Sequence, residues 1–252
     1  MKRLLCPTLP QPQQPVELSE SEAKHATVVL RLGNGDAVEL MDGKGKAVVG
    51  NLVVRGKQVS VEFSKEILMG AAKQVVPFNL ELAVIKGDGM EWAIEKAVEL
   101  GVQTFTPVLT AHTVVQMDRK GPDAFQERWQ KIADQALKQC GRFERMQVAL
   151  PTPLEMLLSQ SPARSERPRI WCDETSKDLA PPLTQWLQQH SEIEALSLLV
   201  GPEGGWSENE RKLLASTCQN VSLGPLILRA ETAAVLTSSL VTAHFRSFSE
   251  MR

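Results

Sequence analysis

Two short stretches restrict this chain more than any others: Val200-Gly-Pro-Glu-Gly-Gly-Trp206 and Val221-Ser-Leu-Gly-Pro-Leu-Ile-Leu-Arg-Ala-Glu-Thr232. Each reads as an apolar strand halted at a Gly-Pro pair. Leu196–Val200 stops at Gly201-Pro202, and Val221–Leu223 stops at Gly224-Pro225. Proline has no N–H to give to a sheet ladder, so a strand finishes there. Glu203-Gly204-Gly205 follows the first stop, and residues without side chains let main-chain atoms come close to a ligand or another loop. Ser207-Glu208-Asn209-Glu210 then has the spacing of a capping box, with Ser207 capping a helix and Glu210 reaching back. A strand, a glycine loop and a helix start, in that order, put polar backbone at the carboxyl end of a sheet, where open α/β folds bind ligands. Spacing alone equally allows two ordinary tight turns.

The remainder divides into two units, residues 1–73 and 74–252. In the first, Pro7, Pro10, Pro12 and Pro15 make an extended lead-in, and Ser19–Leu30 has helical spacing with Ser19 and Glu22 as a second capping box. Short alternating strands follow at Ala37–Met41, Ala47–Val54 and Gln58–Phe63. Asp42-Gly43 is a hairpin signal between the first two, and the expectation is a small β-rich barrel. Its ten basic residues face eight acidic ones, an excess that a solvated surface explains as well as RNA does. In the second unit, Leu80–Ile85 reads as a strand. Asp88 and Glu91 cap the helix after it, Gly101 ends that helix, and Val102–Leu109 is the next strand, making a βαβ unit with a parallel sheet. Pro122–Cys140 is an amphipathic helix. Its outer face and flanks carry Arg119, Lys120, Arg128, Lys131, Lys138, Arg142 and Arg145, either a solvated face or an RNA footprint. Ile170–Glu174 is a buried strand ending in two acids, which suit helix capping or a site. Leu179–His190 and Ala230–Phe248 are helices.

Composition excludes several classes. The chain has 252 residues, 42% hydrophobic and 23% charged, with a net charge of −2, so RNA binding would need local patches and not a global field. The four cysteines are scattered without a CxxC pair, which argues against structural zinc or a disulfide framework and fits a reducing cytoplasm. His25, His112, His190 and His244 lack ligand spacing, so no metal is expected. No GxSxG is present, and no apolar run reaches the roughly 18 residues of a membrane span.

Gly-Pro-Glu-Gly-Gly followed by Leu-Gly-x-x-Ile-Leu-Arg-x-Glu-Thr-Ala resembles the signature of the SPOUT-class ribosomal RNA methyltransferases. More narrowly, it is similar to the bacterial family that methylates N3 of a uridine in 16S rRNA of the small ribosomal subunit. The likeness extends through Lys86-Gly-Asp-Gly-Met-Glu-Trp92 to Gly101, Arg128-Trp129, Ala136–Arg142, and His25 with Val29-Leu-Arg31 and Gly35-Asp36. Leu226 stands where the family usually has arginine, Ala230 where threonine is common, and Leu4-Leu5 where an aromatic often sits.

The resemblance implies an α/β fold, with a SPOUT-type parallel sheet carrying a C-terminal trefoil knot behind a PUA-like β-barrel. It also implies a homodimer and S-adenosylmethionine held by Leu199, Val200, Gly201, Pro202, Glu203, Gly205, Leu223, Gly224, Leu226, Ile227 and Leu228. RNA contacts fall to Arg3, Arg31, Lys86, Arg128 and Arg142. Uridine N3 keeps its proton at neutral pH, so a base and a counter-charge are required. Glu231 and Arg229 are the candidates, the alternative being an ion pair that ties the last helix down. Rival functions are a SPOUT enzyme acting on tRNA ribose or guanine, and a non-catalytic ribosome-assembly protein.

Overall fold

The computed structural model describes residues 1–66, 76–114, 121–159, 167–176 and 179–250. The chain forms two compact units, Met1–Ala72 with Leu137–Arg145, and Lys73–Ala136 with Met146–Arg252. Arg119 and Lys120 of the basic stretch lie outside the described residues.

The first unit contains β1 (Lys2–Leu5), β2 (Val16–Glu17), α1 (Glu20–Lys24), a π-helical turn over His25–Val29, β3 (Ala37–Met41), β4 (Ala47–Arg55) and β5 (Gln58–Glu66). Its sheet runs β1-β3-β4-β5-β2. β1 is parallel to β3, a pairing that the proline-rich start did not suggest, and the other pairs are antiparallel. Alternation in β3, β4 and β5 turns Val38, Leu40, Leu52 and Val61 inward, where they pack with Leu4 and Ala26. Asp42 closes the β3–β4 turn, its Oδ1 accepting from the amides of Lys44 (2.7 Å) and Lys46 (2.9 Å). Gly50 sits at a register shift between β4 and β5. A Cβ there would lie 2.4 Å from Val61 Cγ1 and 2.5 Å from the Glu62 carbonyl oxygen, so the bulge closes only around glycine.

Two side chains of this unit differ from their expected roles. Ser19 does cap α1, accepting from the Glu22 amide at 3.3 Å. Glu22, however, takes the Leu5 amide (3.2 Å) and Lys138 Nζ (2.7 Å). Lys138, expected on a solvated face, is 8% exposed, because the half-buried Glu22 carboxylate lies within reach and pairs with it.

The second unit contains β6 (Phe78–Ala83), α2 (Asp88–Glu99), β7 (Thr104–Leu109), α3 (Gly121–Cys140, whose last turn belongs to the first unit), β8 (Gln147–Val148), β9 (Thr152–Pro153), α4 (Leu154–Ser159), β10 (Arg169–Cys172), α5 (Leu183–Gln189), β11 (Leu196–Val200), α6 (Glu208–Thr217), β12 (Gln219–Val221) and α7 (Ala230–Glu250). Its sheet is wholly parallel, in the order β12-β10-β11-β6-β7-β8, with β9 also pairing β7. β11 is buried along its whole length, as expected of a strand covered on both faces. The carboxyl ends of β12, β10 and β11 therefore lie side by side.

Local chemistry shifts two boundaries. α2 is capped not by Asp88 but by Gly87 in a left-handed conformation (φ 63°), with Asp88 as its first residue. Glu91 does not reach back, because Arg128 of α3 takes its carboxylate. β12 ends at Val221, short of Gly224-Pro225. The Ser222 backbone instead receives the Leu183 amide (3.0 Å) and donates to the Pro181 carbonyl (2.9 Å). α7 lies against α2, α5, β6 and β11, and Thr242 Oγ1 donates to the Leu100 carbonyl at the end of α2 (2.6 Å). Among the described residues, no helix is long and apolar enough to cross a membrane.

One ion pair is built into the sheet. Glu81 of β6 and Arg169 of β10 join across β11 through two hydrogen bonds of 2.5 and 2.8 Å, with side chains 4% and 10% exposed. Removing one partner strands the other's charge in a dry interior. Arg169→Met is expected to cost about 3–5 kcal/mol in urea unfolding, and the double variant Glu81→Met/Arg169→Met to recover most of that loss.

Candidate active site

A cavity of about 490 Å³ opens where β10, β11 and β12 end. The first wall is the turn after β10, Cys172 to Glu174. The second is Val200 to Trp206, and the third is Val221 to Arg229, running into Ala230 and Ala233 of α7.

Each of three glycines in the second wall faces a different neighbour. A Cβ on Gly201 would fall 2.8 Å from the indole of Trp206. That indole is 2% exposed and is fixed by Nε1–H donating to the Cys172 carbonyl (2.9 Å) and by an edge contact with Trp171. On Gly204 the nearest atom would be His112 Cβ at 3.1 Å. On Gly205, at φ 68°, it would be Glu174 Oε1 at 2.5 Å. Side chains then tie the loop outward. The Lys86 amide donates to Glu203 Oε1 (3.0 Å). His112 Nδ1 meets the Gly205 carbonyl at 2.9 Å, which requires a proton on that nitrogen. Ser207 and Glu210 form the expected capping box of α6. Glu210, 5% exposed, accepts from the Ser207 amide with one oxygen and from the Ala111 amide with the other, each at 2.8 Å.

The first wall is acidic but compensated. Asp173 accepts from Thr175 Oγ1 (2.7 Å) and the Thr175 amide (3.2 Å), and from Arg211 Nε (2.9 Å) and Nη2 (3.2 Å). Burial by itself would raise its pKa, but these donors outweigh burial and hold the carboxyl below the usual carboxylate range. Burial pushes the Cys172 thiol up to about 12.

In the third wall Gly224 takes φ 112°, its amide donating to Ser222 Oγ (3.2 Å). Leu226 and Ile227 are 76% and 75% exposed. Arg229 lines the cavity, and its carbonyl accepts from the Ala233 amide in the first turn of α7. Glu231 follows the cavity-lining Ala230 and is not itself on the wall. Its carboxylate comes up against Gly89 in the first turn of α2, where an added Cβ would lie 3.7 Å from Oε2. Among the described residues neither Arg229 nor Glu231 takes part in an ion pair.

Of the expected cofactor residues, Val200, Gly201, Pro202, Glu203, Gly205, Leu223, Gly224, Leu226, Ile227 and Leu228 all stand on this one cavity, while Leu199 is buried in β11 behind it. Cys172, Asp173, Glu174, Gly204, Trp206, Val221, Ala230 and Ala233 also line it. The signal for the β10 residues was available: a strand ending in two acids beside a glycine loop. Of the expected RNA residues, Arg3, Arg31 and Arg142 belong to the first unit and Lys86 and Arg128 to the second. Arg31 (φ 56°), Lys86 and Arg128 are exposed, with Arg128 paired to Glu91. Arg3 pairs with Glu39 at 3.3 Å. Arg142 is half-buried, and burial, partly offset by Glu144, lowers its pKa.

A parallel sheet with a glycine-walled cavity at its carboxyl edge is now joined by a direct likeness. Residues 72–242 match the RNA methyltransferase domain family and residues 18–64 the RNA methyltransferase PUA domain family. The chain belongs to this family of RNA methyltransferases, as its two motifs suggested. Among individual relatives, it is 31% identical over 236 residues to ribosomal RNA small subunit methyltransferase E of Synechocystis sp., covering 92% of this chain and 74% of that one. The crystal structure of ribosomal RNA small subunit methyltransferase E from Neisseria gonorrhoeae, bound to S-adenosyl methionine, is 29% identical. It superposes with a TM-score of 0.84, covering 95% of this chain and 96% of that one. A putative methyltransferase from Legionella pneumophila, in complex with SAM, is 29% identical with a TM-score of 0.85, covering 96% of each chain.

Two outcomes follow from the geometry. Gly201→Ala drives a methyl into an indole that cannot move and is expected to destabilise by about 1–3 kcal/mol. Gly204→Ala comes within 3.1 Å of His112 Cβ, which must give by a few tenths of an ångström, and is expected to cost less than Gly201→Ala, about 1 kcal/mol or below, both read by denaturant titration. Because the Asp173 pKa is depressed, the stability it contributes is present at neutral pH and is lost as pH falls from about 4 through its folded value. Asp173→Asn is expected to melt lower at pH 7 and to show a smaller fall in Tm between pH 5 and pH 2 in a series of melts.

Proposed function

We propose that this chain transfers a methyl group from S-adenosylmethionine to N3 of one uridine in 16S rRNA of the small ribosomal subunit. The observation that carries this reading is a single cavity on which two separated motif loops converge, in a chain whose relatives are ribosomal RNA small subunit methyltransferases. The cavity fits the cofactor in size, since sites for molecules of this class run roughly 300–1,000 Å³. It fits in chemistry too, since the wall offers glycine main chain at Gly201, Gly204 and Gly205 for polar contacts and the apolar side chains Leu223, Leu226, Ile227 and Leu228 for a flat base.

The Val200–Gly205 and Leu223–Leu228 loops hold the cofactor, largely through backbone, and so fix one partner of an in-line displacement. Glu231 takes the N3 proton of uridine, and Arg229 offsets the negative charge that then spreads over the neighbouring carbonyl oxygens. Among the described residues neither side chain is drawn into an ion pair, which supports both roles.

Residues 1–73 serve as the PUA-like RNA-binding domain and residues 74–252 as the methyltransferase domain. Arg3, Arg31, Lys86, Arg128 and Arg142 grip the RNA backbone. A trefoil knot in the C-terminal part is supported by the path of the chain. β12 lies outside β10, the Ser222–Arg229 segment returns to the cavity, and α7 then packs on β6 and β11. The enzyme works in the cytoplasm as a homodimer, an arrangement that the exposed Leu226 and Ile227 suit.

Mass mapping of 16S rRNA from a deletion strain is expected to lack one N3-methyluridine, restored by the wild-type gene. In single turnover with cofactor bound, Glu231→Gln is expected to be about 100-fold slower or worse. An unchanged rate would move the base elsewhere, and an unaltered rRNA map would overturn the substrate.

A further inference from the structure

The strong side-chain acceptors on the cavity wall are three carboxylates. Asp173 spends both oxygens on Arg211 and Thr175, while Glu203 and Glu174 each have one oxygen engaged by a described residue, Glu203 by the Lys86 amide. Glu174 differs from Glu203 in how it is held. It lines the cavity with its side chain 37% exposed, and Oε1 accepts from Arg211 Nη2 at 3.2 Å. The same oxygen lies where any side chain at residue 205 would have to be, so the glycine there makes room for it. Oε2 takes no hydrogen bond from a described residue. The tether continues behind, since Arg211 also grips Asp173, which holds the guanidinium in place. A half-exposed glutamate is ordinarily mobile; this one is fixed at a cavity rim with acceptor capacity left over.

We propose that Glu174 is a donor-specificity residue that accepts hydrogen bonds from the ribose diol of the cofactor, with Arg211 as its positioning residue. The proposal rests on the S-adenosylmethionine reading above. A carboxylate only accepts, so its ligand group must donate. The cofactor offers an ammonium, an adenine amine and two hydroxyls. The guanidinium 3.2 Å from Oε1 repels a cation brought to the same carboxylate, which disfavours the ammonium and the sulfonium. The apolar stretch Leu226–Leu228 of the third wall suits the flat base. A vicinal diol is neutral, donates twice, and matches the two oxygens of a carboxylate.

The test is calorimetry on the full chain with S-adenosylhomocysteine and with its 2′,3′-dideoxy analogue. Wild type is expected to prefer the diol compound by roughly 10- to 100-fold, the range for a hydrogen bond to a charged group. In Glu174→Ala that preference is expected to collapse to within about threefold, while affinity for the dideoxy analogue stays at the wild-type value and so reports an intact cavity. Arg211→Met is expected to raise KM for the methyl donor at unchanged kcat. A Glu174→Ala protein that keeps its preference, or weakens for both compounds alike, overturns the proposal. Wild type that binds neither compound overturns the cofactor reading itself, and this inference with it.

Discussion

The site depends on how closely the Gly201–Trp206 loop can be packed. Three of its residues carry no Cβ, and each vacancy is filled from a different direction: an indole at Gly201, an imidazole at Gly204, a carboxylate at Gly205. Such contacts leave the loop little conformational freedom, so its backbone is held in shape before any ligand arrives. That matters for methyl transfer, which gains mainly from alignment. A floppy glycine loop would have to be ordered by the ligand, at the expense of affinity.

The parallel sheet sets where these contacts occur. β11 is buried between β6 and β10, and the Glu81–Arg169 pair spans it. The loops leaving β10, β11 and β12 emerge from one edge. Carboxylates then join them to their surroundings: Glu203 to the loop after β6, Glu210 to the loop after β7, Asp173 and Glu174 to α6. The net charge of the chain is nearly neutral, but charge is used with care around this edge, as acceptors for backbone amides and for one arginine.

What the sequence disclosed was chiefly local. Leu196–Val200, the glycine loop and the Ser207–Glu210 cap are each specified by neighbours within a few residues, and each was readable. Periodicity and turn signals gave a parallel sheet and a small β-rich barrel, and the family likeness added the PUA-like character of that barrel. Misreadings arose where a distant partner decided the matter. Glu91 has capping spacing, yet Arg128 claims it. Glu22 has the same spacing and is claimed by Leu5 and Lys138, which also draws that lysine out of solvent. β12 stops early because Ser222 finds hydrogen bonds at the start of α5. Glu174 and Gly205 lie 31 positions apart in the chain, and nothing in either neighbourhood announces that they touch.

Glu210 has a consequence for how such a chain can change over generations. A single carboxylate is both the reciprocal half of a helix cap and the anchor of Ala111. Ordinarily the start of a helix drifts freely among equivalent residues, and the folding of α6 and the shaping of the catalytic edge would evolve as separate traits. Here they share one side chain, so a replacement that is neutral for the helix is not neutral for the enzyme, and glutamine or aspartate, adequate caps elsewhere, would each forfeit half of the bargain.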